Sequence, residues 1–282
     1  MKLIVQKYGG TSVADASAIK KAASKVIKTK EEGNSVVVVV SAMGSRTDDL
    51  INLAVELTDD PEPREMDMLL STGERETMSL MAMYLKNQGY DAISLTGSQA
   101  GIITTSKHGQ AEIEEITGDR VREGLDKGQV VIVAGFQGFN RDTREITTLG
   151  RGGSDATAVA LAASLDADVC EIYTDVRGVF TSDPRIVNKA KLIKEITYDE
   201  MLEMSSSGAK VLMARSVEFG RRYNVPIKVS STFLDEEGTI VKDKVMEQAI
   251  ISGVTHNDEE IKFTLFGVPD QPGIAAKVFK PL

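Results

Sequence analysis

Lys7-Tyr8-Gly9-Gly10-Thr11-Ser12 puts a lysine at the end of a short apolar run and two glycines directly after it. Glycine lets a backbone approach a phosphate closely, and a helix beginning just beyond would offer its free N–H groups and positive dipole end to the same anion. The order is not that of a Walker loop, which needs GxxxxGK[ST]. A tight turn beside a solvated lysine accounts for it equally well. Thr148-Leu149-Gly150-Arg151-Gly152-Gly153-Ser154-Asp155 is the second such segment, and a helical stretch, Ala156–Leu165, follows it. It nearly makes GxGxxG, with Asp155 where the last glycine should stand. Arg151 could clamp a carboxylate through its fork of donors, and Ser154 with nearby N–H groups could hold an anion. Asp155 could order a lysine or back a metal. Helix capping by Ser154 or Asp155 is the plain alternative, although it leaves an arginine between glycines unexplained.

The third segment runs from Tyr173 to Arg185, YTDVRGVFTSDPR. Phe180 could cover an adenine and Arg185 could reach phosphates, or the whole could be an ordinary surface loop. Glu74 follows Ser71-Thr72-Gly73, and Thr47 follows Ser41–Arg46. A carboxylate at a cleft can bind an ammonium group and a hydroxyl can bind a carboxylate, but both positions also suit the first turn of a helix. Lys210 reads equally as a solvated helix residue. His108 lies in a polar loop with no expected catalytic role, and Cys170 is expected in the core.

Short apolar runs at Leu3–Val5, Val36–Val40, Ala92–Leu95, Val130–Ala134 and Val169–Tyr173 predict buried strands. The run of valines suits a strand covered on both faces. Ile19, Ala22, Ala23, Val26 and Ile27 form one apolar stripe at helical spacing; Leu50, Leu53, Ala54 and Leu57 form another. Met66 to Leu85 predicts a methionine-rich helix, broken near Gly73, with Met66, Met68, Met78, Met81 and Met83 as adaptable core filler. Strand–helix alternation predicts an α/β fold with a largely parallel sheet, whose ligands sit at the carboxyl ends of the strands. GGTS, SAMGS, TGSQAG, GFQG and TDVRG each follow a predicted strand, and together they predict one shared phosphate and substrate cleft. Beyond Ser231 the pattern changes: strands are expected at Ile250–Val254 and Lys262–Val268, and a helix over Asp270–Phe279.

The 282 residues are 41% apolar and 27% charged, ordinary for a globular protein. A net charge of -9 argues against a nucleic-acid partner, which normally meets a basic patch. No apolar run is long enough for a membrane helix, and MKLIVQKYGG reads as a strand rather than a signal peptide. One cysteine permits no internal disulfide, so a reducing cytoplasm is expected. Two histidines, His108 and His256, exclude a histidine-rich zinc centre and disfavour a Ser-His-Asp hydrolase.

Taken together, Lys7–Ser12, Thr96–Ile102, Gly135–Asn140, Thr148–Asp155 and Tyr173–Arg185 resemble the aspartate kinases of the amino acid kinase superfamily, in the family's order and approximate spacing. The likeness spans roughly residues 1 to 250. It implies a three-layer α/β/α sandwich with a largely parallel central sheet as catalytic domain over 1–247. The tail Gly267–Gly273 resembles the opening of an ACT module, so 248–282 is expected to begin an α+β regulatory domain. The implied reaction takes ATP, with Mg2+, and L-aspartate to 4-phospho-L-aspartate, the first step towards lysine, threonine and methionine. By resemblance, Lys7 contacts the transferred phosphoryl group, Gly9 and Gly10 line the phosphates, and Asp155 organises the lysine. Thr47, Glu74, Arg151 and Ser154 bind aspartate, Glu74 taking its amino group and Arg151 a carboxylate. Thr174, Asp175, Phe180, Arg185 and Lys210 contact nucleotide. A homodimer, or association with a separate ACT-containing chain, is the implied assembly.

The family continues well past the point where this chain stops, normally through two ACT modules, so a truncated form lacking normal lysine or threonine inhibition is expected. The rivals are a kinase acting on acetylglutamate or glutamate, and a sensor of the same fold that binds without turnover. A Rossmann dehydrogenase is disfavoured by the broken GxGxxG.

Overall fold

A computed structural model describes residues 1–209, 211–245 and 252–255. In chain order the elements are β1 (Leu3–Tyr8), a 3-10 turn (Gly10–Val13), α1 (Ala16–Glu31), β2 (Ser35–Val40), α2 (Arg46–Leu57), α3 (Pro63–Leu70), α4 (Thr72–Asn87) and β3 (Ala92–Leu95). Then follow β4 (Ile102–Thr104), β5 (Ile113–Ile116), α5 (Asp119–Asp126), β6 (Val130–Ala134), β7 (Gln137–Phe139), β8 (Ile146–Thr148) and α6 (Gly153–Ser164). The last are β9 (Val169–Thr174), β10 (Glu195–Thr197), α7 (Tyr198–Ser206), α8 (Ala214–Tyr223), β11 (Ile227–Ser231) and β12 (Thr239–Lys242).

Eight strands form one sheet in the order β10-β12-β11-β9-β1-β2-β6-β3, parallel from β11 through β3, with β12 antiparallel to β11. Each strand predicted from its apolar run is present in that parallel block. Successive side chains of a strand point to opposite faces, and β2 shows why an all-valine strand is needed. Val37 and Val39 join a core with α5, α6, α7 and α8, whereas Val36, Val38 and Val40 join another with α1 and α4. The three-layer α/β/α sandwich is therefore built as expected. Among the described residues no helix is long and apolar enough to cross a membrane.

Four short strands form a second sheet, β5-β4-β7-β8, that the apolar runs did not signal. β7 and β8 pair antiparallel, with Gln137 opposite Thr148, and carry the chain from the end of β6 to the start of α6. This small sheet brings the glycine-rich 148–155 segment back over the carboxyl edge of the large one.

Four expectations need correction. The helix over 66–85 breaks at Ser71, not at Gly73. The Ser71 and Thr72 hydroxyls donate back to the Met68 and Leu69 carbonyls, at 3.0 and 2.7 Å, and such side-chain bonds compete with the helical ladder. Gly73 lies inside α4. Of the five methionines, Met78 and Met81 are buried and Met66 is half-buried, but Met68 and Met83 face solvent. The stripe on α2 is also mostly exposed, because that helix packs chiefly on α3; only Leu50 is buried, and Leu53 and Leu57 are open. The strand expected over 250–254 is not formed in its described part, 252–254, and the later tail elements lie outside the described residues.

Met81 and Met83 make the layering measurable, since they sit on opposite faces of one helix. Met81→Ala should lower the free energy of unfolding by about 2–5 kcal/mol, and Met83→Ala should stay within about 0.5 kcal/mol of the parent in urea titrations. Equal shifts would show that α4 does not lie on the sheet as described.

Candidate active site

β1, β2, β6 and β9 run parallel, so their carboxyl ends and the loops that follow open on one edge. Lys7 sits there, beside Val39 of β2 and Ile172 of β9. Its ammonium lies 2.5 Å from Oδ1 of Asp155, and both side chains are about nine-tenths enclosed (12% and 11% exposed). That oxygen lacks a well-aligned hydrogen bond, so the contact is principally one of charge. Asp155 is the third residue of α6, where a carboxylate also meets the positive end of the helix dipole. A bare surface lysine is thereby excluded: Lys7 is aimed and held.

Glycine is required where these loops touch. A Cβ on Gly9 would stand 3.3 Å from the Lys7 ammonium, and one on Gly10 would press on the carbonyls of Ala42 and Gly44 at 3.2 and 3.1 Å. The Gly44 N–H donates to the Gly10 carbonyl at 3.1 Å, stitching the loops after β1 and β2 together. At the end of β6 a Cβ on Gly135 would meet Ser154 at 2.9 Å, so that glycine lets the first turn of α6 reach the strand ends. Sequence reading grouped Gly135 with the site through GFQG but gave it no role.

One part of the phosphate expectation changes. A 3-10 turn that starts at Gly10, not α1, comes directly after β1, and the N-terminus of α1 is already capped by Asp15, which accepts from the Ala18 N–H at 2.8 Å. The amides free to meet an anion are those of Gly10 and Thr11, for which the described residues supply no acceptor. Ser12 anchors the turn: its hydroxyl accepts from Thr232 at 2.6 Å and donates to the Tyr173 carbonyl at 3.4 Å. Those contacts had no sequence signal, being set by residues more than 160 positions apart.

Glu74, in the first turn of α4, is almost completely enclosed. Oε1 accepts from the Ala42 N–H at 3.1 Å, and Oε2 has no partner among the described residues. Burial pushes its carboxyl up to about 7, against the lowering pull of the backbone donors. Gly73 makes this placement feasible, because a Cβ there would lie 2.7 Å from that of Ala42. A buried carboxylate oxygen without a donor is costly to leave charged, which favours a proton or a cation beside it. Thr47 lies half-buried in the first turn of α2, after the same β2 loop. Arg151 stands exposed between Gly150 and Gly152, both at positive φ (+73° and +70°), and no described residue pairs with it. Ser154 is buried behind it.

Thr174, Asp175, Phe180 and Arg185 share a cleft of about 720 Å³, whose apolar wall includes Val179, Met204 and Val211. That volume suits a ligand of nucleotide size. Phe180 is half-buried. Arg185 is exposed and forked onto Asp183, through Nε at 3.0 and 3.2 Å and an Nη at 2.7 Å; these bonds and charges raise its already high pKa. Lys210 lies outside the described residues. The candidate set thus separates into two neighbourhoods flanking Lys7, a nucleotide-sized cleft beyond β9 and the buried Glu74 carboxylate beyond β2.

Residues 2–231 match the amino acid kinase family. The aspartokinase of Mycolicibacterium smegmatis is 58% identical over 284 residues, which take in 99% of this chain and 68% of that protein. The crystal structure of aspartate kinase from Synechocystis superposes with a TM-score of 0.77 at 52% identity, covering 88% of this chain and 41% of that one. The E. coli aspartokinase III complex with aspartate and ADP gives 0.78 at 30% identity, covering 86% and 65%. The chain accordingly spans about two thirds of the curated relative's length, and less of the two solved chains. The match over residues 2–231 and the 58% identity across 99% of the chain show that it belongs to the amino acid kinase family, among its aspartate kinases.

Proposed function

We propose that this chain transfers the γ-phosphoryl group of ATP to the side-chain carboxylate of L-aspartate, giving ADP and 4-phospho-L-aspartate. The observation that carries this reading is the place of Lys7. β1 lies between β9, which runs into the nucleotide-sized cleft, and β2, whose loop meets Glu74. An aspartate side chain has a pKa of about 3.9 and is ionised at neutral pH, so its attack needs no general base. The obstacle is repulsion between two anions. Phosphoryl transfer is helped chiefly by positioning and by charge placed where charge develops. Lys7 and the free amides of Gly10 and Thr11 supply that charge, with Gly9 and Gly10 lining the phosphates. Asp155 keeps the ammonium in place.

Aspartate would be held by Glu74 at its amino group and by Arg151 at a carboxylate, with Thr47 and Ser154 completing the pocket. Thr174, Asp175, Phe180, Arg185 and Lys210 would hold the nucleotide. Arg185 could then exchange part of its Asp183 contact for phosphate. Among the described residues no three His, Cys, Asp or Glu side chains converge. The donor set fits a magnesium ion carried on ATP and water, as that ion prefers, with Asp175 or Asp183, the carboxylates lining the cleft, to reach its water shell. Bound there, it would neutralise phosphate charge. The catalytic unit would occupy 1–247 and an ACT-type segment 248–282, in a cytoplasmic enzyme working as a homodimer or with a separate ACT-bearing chain. Its product would feed lysine, threonine and methionine synthesis.

Coupled ADP release with aspartate, glutamate and acetylglutamate tests the reaction. Turnover should be greatest with aspartate, and nucleotide binding without ADP release would mark a sensor instead. Lys7→Ala should cut kcat by about 10²–10³ while the KM for aspartate moves little; an effect confined to that KM would remove Lys7 from the chemistry.

Glu74 gives a pH test with a definite sign. Its raised folded pKa means that the stability held by its proton is complete below the unfolded value of 4.5 and is lost as pH rises through about 7. An ammonium needs the ionised form. Aspartate binding should therefore tighten as pH climbs through about 7 and should release protons near that pH. Calorimetry in two buffers of different ionisation enthalpy measures the release. Glu74→Gln should abolish it, and an unchanged proton count in that variant would separate Glu74 from the ammonium.

A further inference from the structure

Asp67 is a carboxylate inside the apolar run Met66–Leu70, 1% exposed, and the proposed chemistry makes no use of it. Its partners lie on β8 and in the loop between β4 and β5. Oδ1 accepts from the Thr148 hydroxyl at 2.5 Å and from the Gly109 N–H at 3.1 Å. Oδ2 lies 3.2 Å from the same N–H and 2.7 Å from Nδ1 of His108. A carboxylate acceptor imposes the tautomer with hydrogen on Nδ1. His108 Nε2 is in turn 3.4 Å from Glu145.

Thr148 ends β8, three residues before Arg151. The backbone around it is held as well: the Ala111 N–H donates to the Thr148 carbonyl at 2.9 Å, and Arg215 donates to the Leu149 carbonyl at 3.1 Å. A Cβ on Gly150 would touch the Gly109 carbonyl at 3.0 Å, so the loop ligating Asp67 also lies against the glycine preceding Arg151. Asp67 belongs to α3, which leads through Ser71 directly into α4 and Glu74.

Gln137 makes a second tie between the same two bodies. It is buried, pairs with Thr148 across β7 and β8, and donates through Nε2 to the Ser71 carbonyl at 2.8 Å. Its Oε1 accepts from Nε of Arg75, the residue after Glu74, at 3.4 Å. Two buried polar side chains thus join the α3–α4 junction to the end of β8. Neither bond serves the large sheet.

We propose that Asp67 and Gln137 are positioning residues that fix Glu74 and Arg151 relative to one another, so that the reacting carboxylate of the substrate is presented to the phosphoryl group. The proposal rests on the reading that these two residues hold the ends of aspartate. It adds that their alignment is set by a bracket outside the site. A buried carboxylate accepting several donors is costly to unpair, which makes it a rigid fixing point.

Asp67→Asn keeps the shape but turns one acceptor into an amide donor facing groups that already donate. It should raise the KM for aspartate about tenfold and leave that for ATP within about twofold. Thr148→Val should act in the same direction, about threefold or more, and Thr148→Ser should restore the parent value because it keeps the hydroxyl. In the Arg151→Ala background, Asp67→Asn should add little to the aspartate KM, since it acts through Arg151. Equal changes in both KM values, no change in either, or full multiplication with Arg151→Ala would overturn the bracket. If Asp67→Asn does not fold, the Thr148 pair decides on the same criteria. A normal aspartate KM in Arg151→Ala alone would remove the clamp and the bracket with it; an impaired Arg151→Ala with a multiplicative cycle would remove only the bracket.

Discussion

Where β1 ends and α6 begins, a lysine ammonium and an aspartate carboxylate meet with little access to water. Deleting either partner of such a pair leaves an uncompensated buried charge, so the surroundings must deliver both. α6 has to enter the middle of the molecule to do so. Ten of its twelve residues are buried, and its composition, GSDATAVALAAS, is small and apolar on every side. An amphipathic helix could not occupy that place. The strand ends must also lie close to its first turn, which is why a side chain at Gly135 would collide with Ser154. A helix and a strand separated in sequence are brought together by the absence of atoms.

The electrostatic design of the two sides of Lys7 differs. Asp155 is opposed by a lysine ammonium, whereas Glu74 meets only backbone amides and, among the described residues, keeps one oxygen unpaired. The first carboxylate has its cation built into the fold. The second is left waiting for one, and burial raises its pKa until something arrives. In the proposed reaction this contrast would serve a zwitterionic substrate: its ammonium would be received where the protein has withheld a partner, leaving Lys7 to the phosphoryl side.

Much of this was legible in residue order, and for identifiable reasons. Apolar runs such as Val36–Val40 have one stable use in a sheet covered on both faces, so five strands of the parallel block could be read directly, whereas β11 (Ile227–Ser231), with its polar Lys228, Ser230 and Ser231, was missed. Lys7, Asp155 and the glycines announced themselves through unusual neighbours. What could not be read depended on where separate segments meet. The stripe Leu50, Leu53, Leu57 has the spacing of a buried face, but spacing does not reveal that α2 packs chiefly on α3 and leaves most of that stripe open. The helix break at Ser71 looked like a glycine break, although Gly73 serves close approach to Ala42 instead. Asp15 took the N-terminus of α1 that an anion was expected to occupy. β4, β5, β7 and β8 are too short to register as periodic segments, and the bracket they support was hidden with them. Asp67 had one available sign, a carboxylate within MDMLL, where a merely amphipathic helix would place an apolar residue.

The small sheet follows from a geometric limit of the large one. Parallel strands can present their carboxyl ends along an edge, but all the loops there point outward from a common plane. Arg151 has to enter from the side, on a segment that returns over that edge. β7 and β8 provide the return, and a returning hairpin of three-residue strands has little core of its own. Two-stranded ribbons are marginal in water, and β4 joins this one only at Ile103 opposite Phe139. Fixing it to α3 and α4 through Asp67 and Gln137 adds buried hydrogen bonds to that slender pairing. The same bonds that make the hairpin stable therefore determine where Arg151 stands relative to Glu74, and in this fold local stability and substrate alignment are one structural requirement.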